Sequence, residues 1–244
     1  MLISFFEEFP NKVSLSKLRL INFNTKIYLA ASSYKEFNKI ASKIKNKFVK
    51  EIIYWPILDE KEGYWISPFS KRDALIRVFS ENINGSVMID AELPKNKSLY
   101  LTELHNFLKN KSSIKNFIKK NKVYTAEYYP EGFLKNIILS FFGLSFDPNK
   151  FNNNVIKMLY HSMHNFNENF LKNKIRYGVN KYKDKYLLAF GTIAHGIKGN
   201  EPLLSLAKLD KDLKIAKELK VKEVIIYRLG GLDKNYLKVI KKYV

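Results

Sequence analysis

Apolar, β-branched or aromatic runs recur along the chain: LISFFEEF (2–9), KIYLAAS (26–32), EIIYWPIL (51–58), SVMIDAEL (86–93), KVYTAEYY (122–129), FGLSFD (142–147), YLLAFGTI (186–193) and EVIIYRL (223–229). Segments with 3.6-residue apolar spacing separate most of them. In SSYKEFNKIASKIKNKF, Ser33 is placed as an N-cap, and Phe37, Ile40, Ala41, Ile44 and Phe48 fall on one stripe. SPFSKRDALIRVFSENI, EPLLSLAKLDKDLKIAKEL and the terminal KNYLKVIKKYV behave alike. Near-continuous apolar strands alternating with amphipathic helices predict a parallel sheet covered by helices. Eight such units in 244 residues, close to the ~250 typical of the fold, predict an α/β protein with a single (β/α)8 TIM-type barrel over 1–244. The rival open, doubly wound sheet lacks support, because FFEEFPNKVSLSKL after the first strand carries no glycine-rich dinucleotide fingerprint. The Asn-rich segment 151–185 reads as a helix plus an irregular excursion.

Composition narrows the partners. A content of 46% hydrophobic and 14% aromatic residues supplies a substantial core. The net charge of +20 invites a nucleic-acid reading, but only five of the 43 basic residues are Arg, and the lysines are scattered over nearly every helix. Specific nucleic-acid binding is therefore not expected, and a solvated Lys-rich surface is. No apolar run approaches the roughly 20 residues of a membrane-spanning helix, and MLISFFEEFP carries no basic leader or small-residue cleavage site, so neither anchor nor signal is expected. The absence of Cys excludes disulfides and thiolate metal sites and agrees with a cytoplasmic location.

Candidate chemistry gathers at the strand ends, where βα loops converge in such barrels. They carry Glu7 and Glu8, Trp55, Asp90 and Glu92, Glu127 and Tyr128, Asp147, His195 and Arg228. These side chains are expected to meet at one mouth. Asp90 and Glu92 share a strand face with Met88, which turns them toward the axis. Two neighbouring carboxylates can split their pKa values and leave one protonated as a general acid, as glycoside cleavage requires. Glu92, Asp90 and Glu127 are the catalytic candidates. Glu8, Trp55, Trp65, Tyr128, Asp147, His195 and Arg228 are candidates for holding substrate, the aromatics by stacking on sugar rings.

The stretch D-A-E-L-P at 90–94 resembles the end of the fourth strand in chitinase-like barrels of glycoside hydrolase family 18, whose pattern is D-x-x-D-x-D-x-E with an aromatic and often Pro following. The resemblance implies that Glu92 is the proton donor and Asp90 its partner, with Pro94 matching as well. Gly85 and Met88 occupy the two earlier acidic positions, and Leu93 replaces the aromatic. It also implies substrate assistance, in which an N-acetyl group of the substrate is the nucleophile. The expected partner is a small molecule or oligosaccharide, with no cofactor and no membrane.

Two other readings stand beside it. Glu92, Glu127, Asp147 and His195, on successive strand ends, would make a hard-ligand cluster for a divalent metal ion, as in a sugar-phosphate isomerase, aldolase or phosphodiesterase-like enzyme. Glycines in TIAHGIKGNEP and RLGGLD could then present backbone amides to a phosphate. His161 and His164 in HSMHNFNEN, if helical, would stand one turn apart as a weaker ligand pair. A non-catalytic barrel that binds carbohydrate or protein is the third. Oligomeric state is not legible.

Overall fold

The computed structural model describes residues 1–129 and 133–244. Among these residues, β1 (Leu2–Glu7), β2 (Thr25–Ala31), β3 (Val49–Pro56), β4 (Val87–Ala91), β5 (Val123–Tyr128), β6 (Asn154–Met158), β7 (Tyr186–Gly191) and β8 (Glu223–Tyr227) hydrogen-bond in that order into a closed barrel. Helices lie between successive strands, including Tyr34–Ala41, Arg72–Phe79, Phe107–Lys120, Glu168–Tyr182 and Leu206–Glu218, and Lys234–Ile240 ends the chain. This is a (β/α)8 barrel of the TIM type. The chain forms two compact units: Met1–Ala30, Ile40–Ile52 and Lys157–Val244 in the first, Ala31–Lys39 and Ile53–Ile156 in the second.

Seven of the apolar runs are the strands, and the sixth is not. FGLSFD is irregular, and β6 is NVIKM, inside the segment expected to hold a helix and an excursion. Burial explains the exchange. Leu144 and Phe146 are buried without joining the sheet, Phe146 standing edge-on to Phe151 at 5.6 Å. In β6 the apolar signal is broken by Asn154 and by Lys157, which is itself buried. The stripe that began at Phe37 also stops early. Ser33 Oγ accepts from the Glu36 amide at 3.2 Å as a cap should, but the helix ends at Ala41, so Ile44 and Phe48 lie beyond it.

In the second unit, register assigns the faces. Tyr54 of β3 pairs with Val87 of β4, and β4 pairs with β5 through Met88↔Tyr124, Asp90↔Ala126 and Ala91↔Glu127. Tyr54 packs its ring on Tyr34 and on Phe37 of the helix Tyr34–Ala41, so its face is the helix-covered one. Because side chains alternate, Trp55, Met88, Asp90, Tyr124 and Tyr128 occupy the opposite face, toward the barrel interior.

The first unit divides the same way. Tyr186 shares its face with Leu188, which pairs with Val224, and its ring presses on Gly178 of the helix Glu168–Tyr182. A Cβ at Gly178 would stand 2.2 Å from that ring, so only glycine lets helix and strand approach this closely. The other face carries Ser4, Phe6, Tyr28, Glu223 and Tyr227. There Glu223 accepts from Ser4 Oγ at 2.7 Å and Tyr28 Oη at 3.0 Å, and Lys26 Nζ stands 3.3 Å away. A buried carboxylate is tolerated in a barrel floor only when its lone pairs are met in this way.

Candidate active site

The loop after β3 sets the scene in the second unit. The Ile66 amide donates to the Asp90 carbonyl at 3.1 Å, and the Lys95 amide to the Gly63 carbonyl at 3.2 Å, so the segment around Trp65 is pinned against the end of β4. Its tight course runs through Gly63 at φ +127° and Tyr64 at φ 66°. Ser70 Oγ donates to the Trp65 carbonyl at 2.8 Å, which fixes that residue's backbone. Trp65 is half-buried, edge-on to Tyr64 with ring centres 5.4 Å apart.

β4 ends at Ala91, so Asp90 is buried within the strand and Glu92 is the first residue beyond it, half-buried. The register that pairs Asp90 with Ala126 carries Tyr128 to the level of Glu92 on the same face. The Tyr128 hydroxyl donates to Glu92 Oε2. Burial of that end of the side chain, reinforced by the charges of Glu92 and Asp90, pushes the Tyr128 pKa far up, so the phenol stays a neutral donor. Tyr128 as a whole remains 38% exposed. Asp90, Glu92 and Tyr128 thus form one acidic, aromatic-edged cluster.

Glu127 does not join it. Paired with Ala91, it points to the opposite, helix-covered face, fully buried. Its Oε1 accepts from Thr125 Oγ1 at 2.8 Å and from the Phe146 amide at 2.9 Å. The carboxylate therefore anchors the irregular 142–147 segment, and the expectation of a catalytic Glu127 is corrected on that ground. Asp147, expected at a strand end, instead caps the short helix Pro148–Phe151, accepting from the Asn149 amide at 2.9 Å. Trp55 is inward-facing but only 2% exposed, so it offers no open ring for stacking.

The first unit holds the other candidates. Glu8 lies just past β1 and accepts from the Tyr227 hydroxyl; burial and then the Glu8 charge push the Tyr227 pKa up. Glu7, one residue earlier and on the other face, is a clamp. It accepts from Arg228 Nη1 at 2.9 Å, the Gly230 amide at 2.8 Å and the Phe9 amide at 2.9 Å. Burial pushes its carboxyl up while Arg228 pulls against it. Arg228 also donates from Nε to the His195 carbonyl at 2.9 Å and lies 4.9 Å over the Phe9 ring. Its guanidinium is thus tied to Glu7 and to the His195 carbonyl.

His195 is exposed and donates from Nδ1 to the Glu201 carbonyl at 3.0 Å. The Glu201 carboxylate receives the Gly196 and Lys198 amides, each at 3.0 Å. Burial opposes its ionisation, but those amides prevail and lower its pKa. His161 and His164 are not on a helix; His161 Nδ1 meets Asp212 Oδ1 at 2.9 Å and Nε2 donates to the Phe166 carbonyl at 2.9 Å. Among the described residues no three His, Asp or Glu side chains are grouped to hold a metal ion, so the set Glu92, Glu127, Asp147 and His195 is not a ligand cluster here.

Tyr227 and Glu201 escaped the sequence reading. Strand parity would have found Tyr227, because it shares its face with Ile225 and Glu223 at the last position of β8. Nothing local marks Glu201, whose partners are backbone amides.

No protein-family model matches the chain, and no curated protein does. Solved structures do. The glycoside hydrolase domain of PgaB (BpsB) from Bordetella bronchiseptica is 10% identical with a TM-score of 0.55, over 97% of this chain and 94% of that one. A GH18 chitinase from Cycas revoluta in complex with (GlcNAc)3 is 14% identical with a TM-score of 0.56, over 100% and 99%. The spore cortex-lytic enzyme SleL from Bacillus megaterium is 11% identical with a TM-score of 0.51, over 99% and 73%. At these identities the likeness establishes a glycoside-hydrolase-like barrel fold and no more.

Proposed function

We propose that this barrel cleaves glycosidic bonds, with Glu92 as the proton donor, Asp90 as its electrostatic partner and Tyr128 as the group that holds it. The observation that carries the reading is the Tyr128–Glu92 hydrogen bond beside Asp90, on the interior face at the end of β4 and β5. A proton donor must be held where its second oxygen can reach the leaving oxygen of the sugar. Tyr128 holds Glu92 through Oε2. Asp90, buried one strand position back, adds a negative charge that favours the protonated form of its neighbour.

As the glycosidic C–O bond breaks, Glu92 gives its proton to the departing oxygen, and positive charge grows on the sugar ring. Asp90 and the Tyr128 ring face then bound the space where that charge develops. With an N-acetylated sugar, the substrate's own amide oxygen would attack the anomeric carbon, and Asp90 would steady the amide nitrogen. Solved barrels of like fold include a chitinase bound to (GlcNAc)3, which makes N-acetylglucosamine oligomers the first substrates to try. Trp65, half-buried on the pinned loop, would stack on a neighbouring ring.

The test is incubation with N-acetylglucosamine oligomers, their de-N-acetylated counterparts and neutral β-glucans, with products read by mass spectrometry. Release of shorter oligomers from any of these supports the reading. Binding without cleavage would instead make this a carbohydrate-binding barrel, and neither binding nor cleavage would remove the carbohydrate assignment.

A further inference from the structure

The helix Phe133–Phe141, which follows β5, wears its apolar stripe on the outside. Leu134, Ile137, Ile138 and Phe141 recur at the spacing of one helical face, and all four are exposed, Leu134 at 73% and Phe141 at 61%. In a globular protein that stripe ordinarily turns to the core. Leu101, Leu104 and Leu108, on three successive elements Leu99–Thr102, Leu104–Asn106 and Phe107–Lys120, are exposed too, at 82%, 60% and 75%. The two segments adjoin: the buried Phe107 ring lies 6.2 Å from the Phe141 ring, and the Lys111 ammonium stands over both, 5.7 and 4.9 Å from their centres. An apolar surface of this extent is an interaction site rather than ordinary solvent-facing scatter.

Charge identifies the occupant. Between residues 97 and 142 the sequence holds eight lysines against three glutamates, within a chain of net charge +20. Lys109 is exposed beside Leu108, and Lys111 lays its stem along apolar rings while its ammonium donates to the Phe141 carbonyl. A second copy of this chain would bring the same positive field against itself, which disfavours self-association. Leucine, isoleucine and phenylalanine flanked by the lysines Lys109 and Lys111 are the composition of a surface that lies in the headgroup region of an anionic bilayer. No helix among the described residues is long and apolar enough to cross a membrane.

We infer that the face formed by Phe133–Phe141 and the Leu101–Leu108 segment docks this protein peripherally on anionic lipid. The inference stands apart from the glycosidase reading and needs no substrate. It revises the expectation of no membrane partner, which rested on spans and leaders alone. Docking would place the Tyr128 end of β5, from which this helix follows, near the bilayer surface.

The experiment is cosedimentation of the full chain with vesicles of phosphatidylcholine alone and of phosphatidylcholine with phosphatidylglycerol, at low and high salt. Binding to the anionic vesicles, weakened but not abolished by salt, is expected. The double substitution Leu134→Ser with Ile138→Ser should lower that affinity by at least 10-fold while leaving the melting temperature unchanged. Three results would each overturn the inference: no association with anionic vesicles, equal association with neutral ones, or full association of the double variant, which would assign binding to scattered lysines. Sedimentation velocity on the same variant covers the rival occupant: a self-associating wild type dispersed by the substitutions would mean that a second copy covers the face.

Discussion

The Tyr128 hydroxyl donates to Glu92, and the two residues reach each other because β4 and β5 are paired with Asp90 opposite Ala126. One residue of slip in that register would carry Tyr128 to the helix-covered face and leave Glu92 without its donor. Removing the phenol oxygen should therefore disturb Glu92 without emptying the site. Tyr128→Phe keeps the ring, so substrate affinity should change little while kcat falls about 10-fold or more, the pattern of a group acting in the transition state. An unchanged kcat in Tyr128→Phe would remove the hydroxyl from the chemistry.

Asp90→Asn removes the charge that favours a protonated Glu92. Turnover should fall, and the alkaline limb of the pH–rate profile, where the proton donor deprotonates, should move to lower pH, because Glu92 loses its like-charged neighbour. A profile of unchanged shape with a uniformly lower rate would point to a purely steric effect of Asp90.

Glu201 carries a pH dependence with a definite sign. Its folded pKa lies below the ordinary 4.5 because the Gly196 and Lys198 amides favour the carboxylate over the opposing cost of burial. A depressed acid stabilises the fold fully above its unfolded pKa, and that contribution is lost as pH falls through the lowered folded value. Glu201→Gln should thus lower the melting temperature at pH 7, and the difference should shrink as pH falls below 4.5. A difference between the two proteins that grows on acidification would contradict this sign.

In the barrel floor, Glu223 gathers Ser4, Tyr28 and Lys26. Glu223→Leu removes the acceptor of the buried Ser4 hydroxyl and one of the two carboxylates beside Lys26, which keeps Glu51 at 3.2 Å; a buried donor left unsatisfied costs about 1–3 kcal/mol. Thermal or urea unfolding measures it.

The barrel itself was legible because its strands are near-continuous apolar runs, which parallel sheets covered by helices require. β6 was not, since Asn154 and Lys157 interrupt NVIKM while FGLSFD buries Leu144 and Phe146 without entering the sheet. Asp90 and Glu92 could be read because strand alternation is a local property. Glu127 misled for the same reason: its position at the end of β5 is visible, but its face depends on which β4 residue it stands beside, and register is a tertiary fact. Arg228 likewise looked available, and only the fold reveals that Glu7, 221 positions away, holds it. The exposed stripe on Phe133–Phe141 reads in sequence as an ordinary amphipathic helix, because spacing tells that a face is apolar and not which way it turns.

The most direct measurement compares Glu92→Gln with Glu127→Gln on whichever oligosaccharide the wild type cleaves. Glu92→Gln should lower turnover by about 10²-fold or more with the melting temperature and substrate affinity retained, as loss of a general acid does. Glu127→Gln should lower the melting temperature, through its Thr125 and Phe146 contacts, and leave the chemistry of the folded fraction intact. Full turnover by Glu92→Gln, or its loss in folded Glu127→Gln, would contradict the assignment of Glu92 as proton donor.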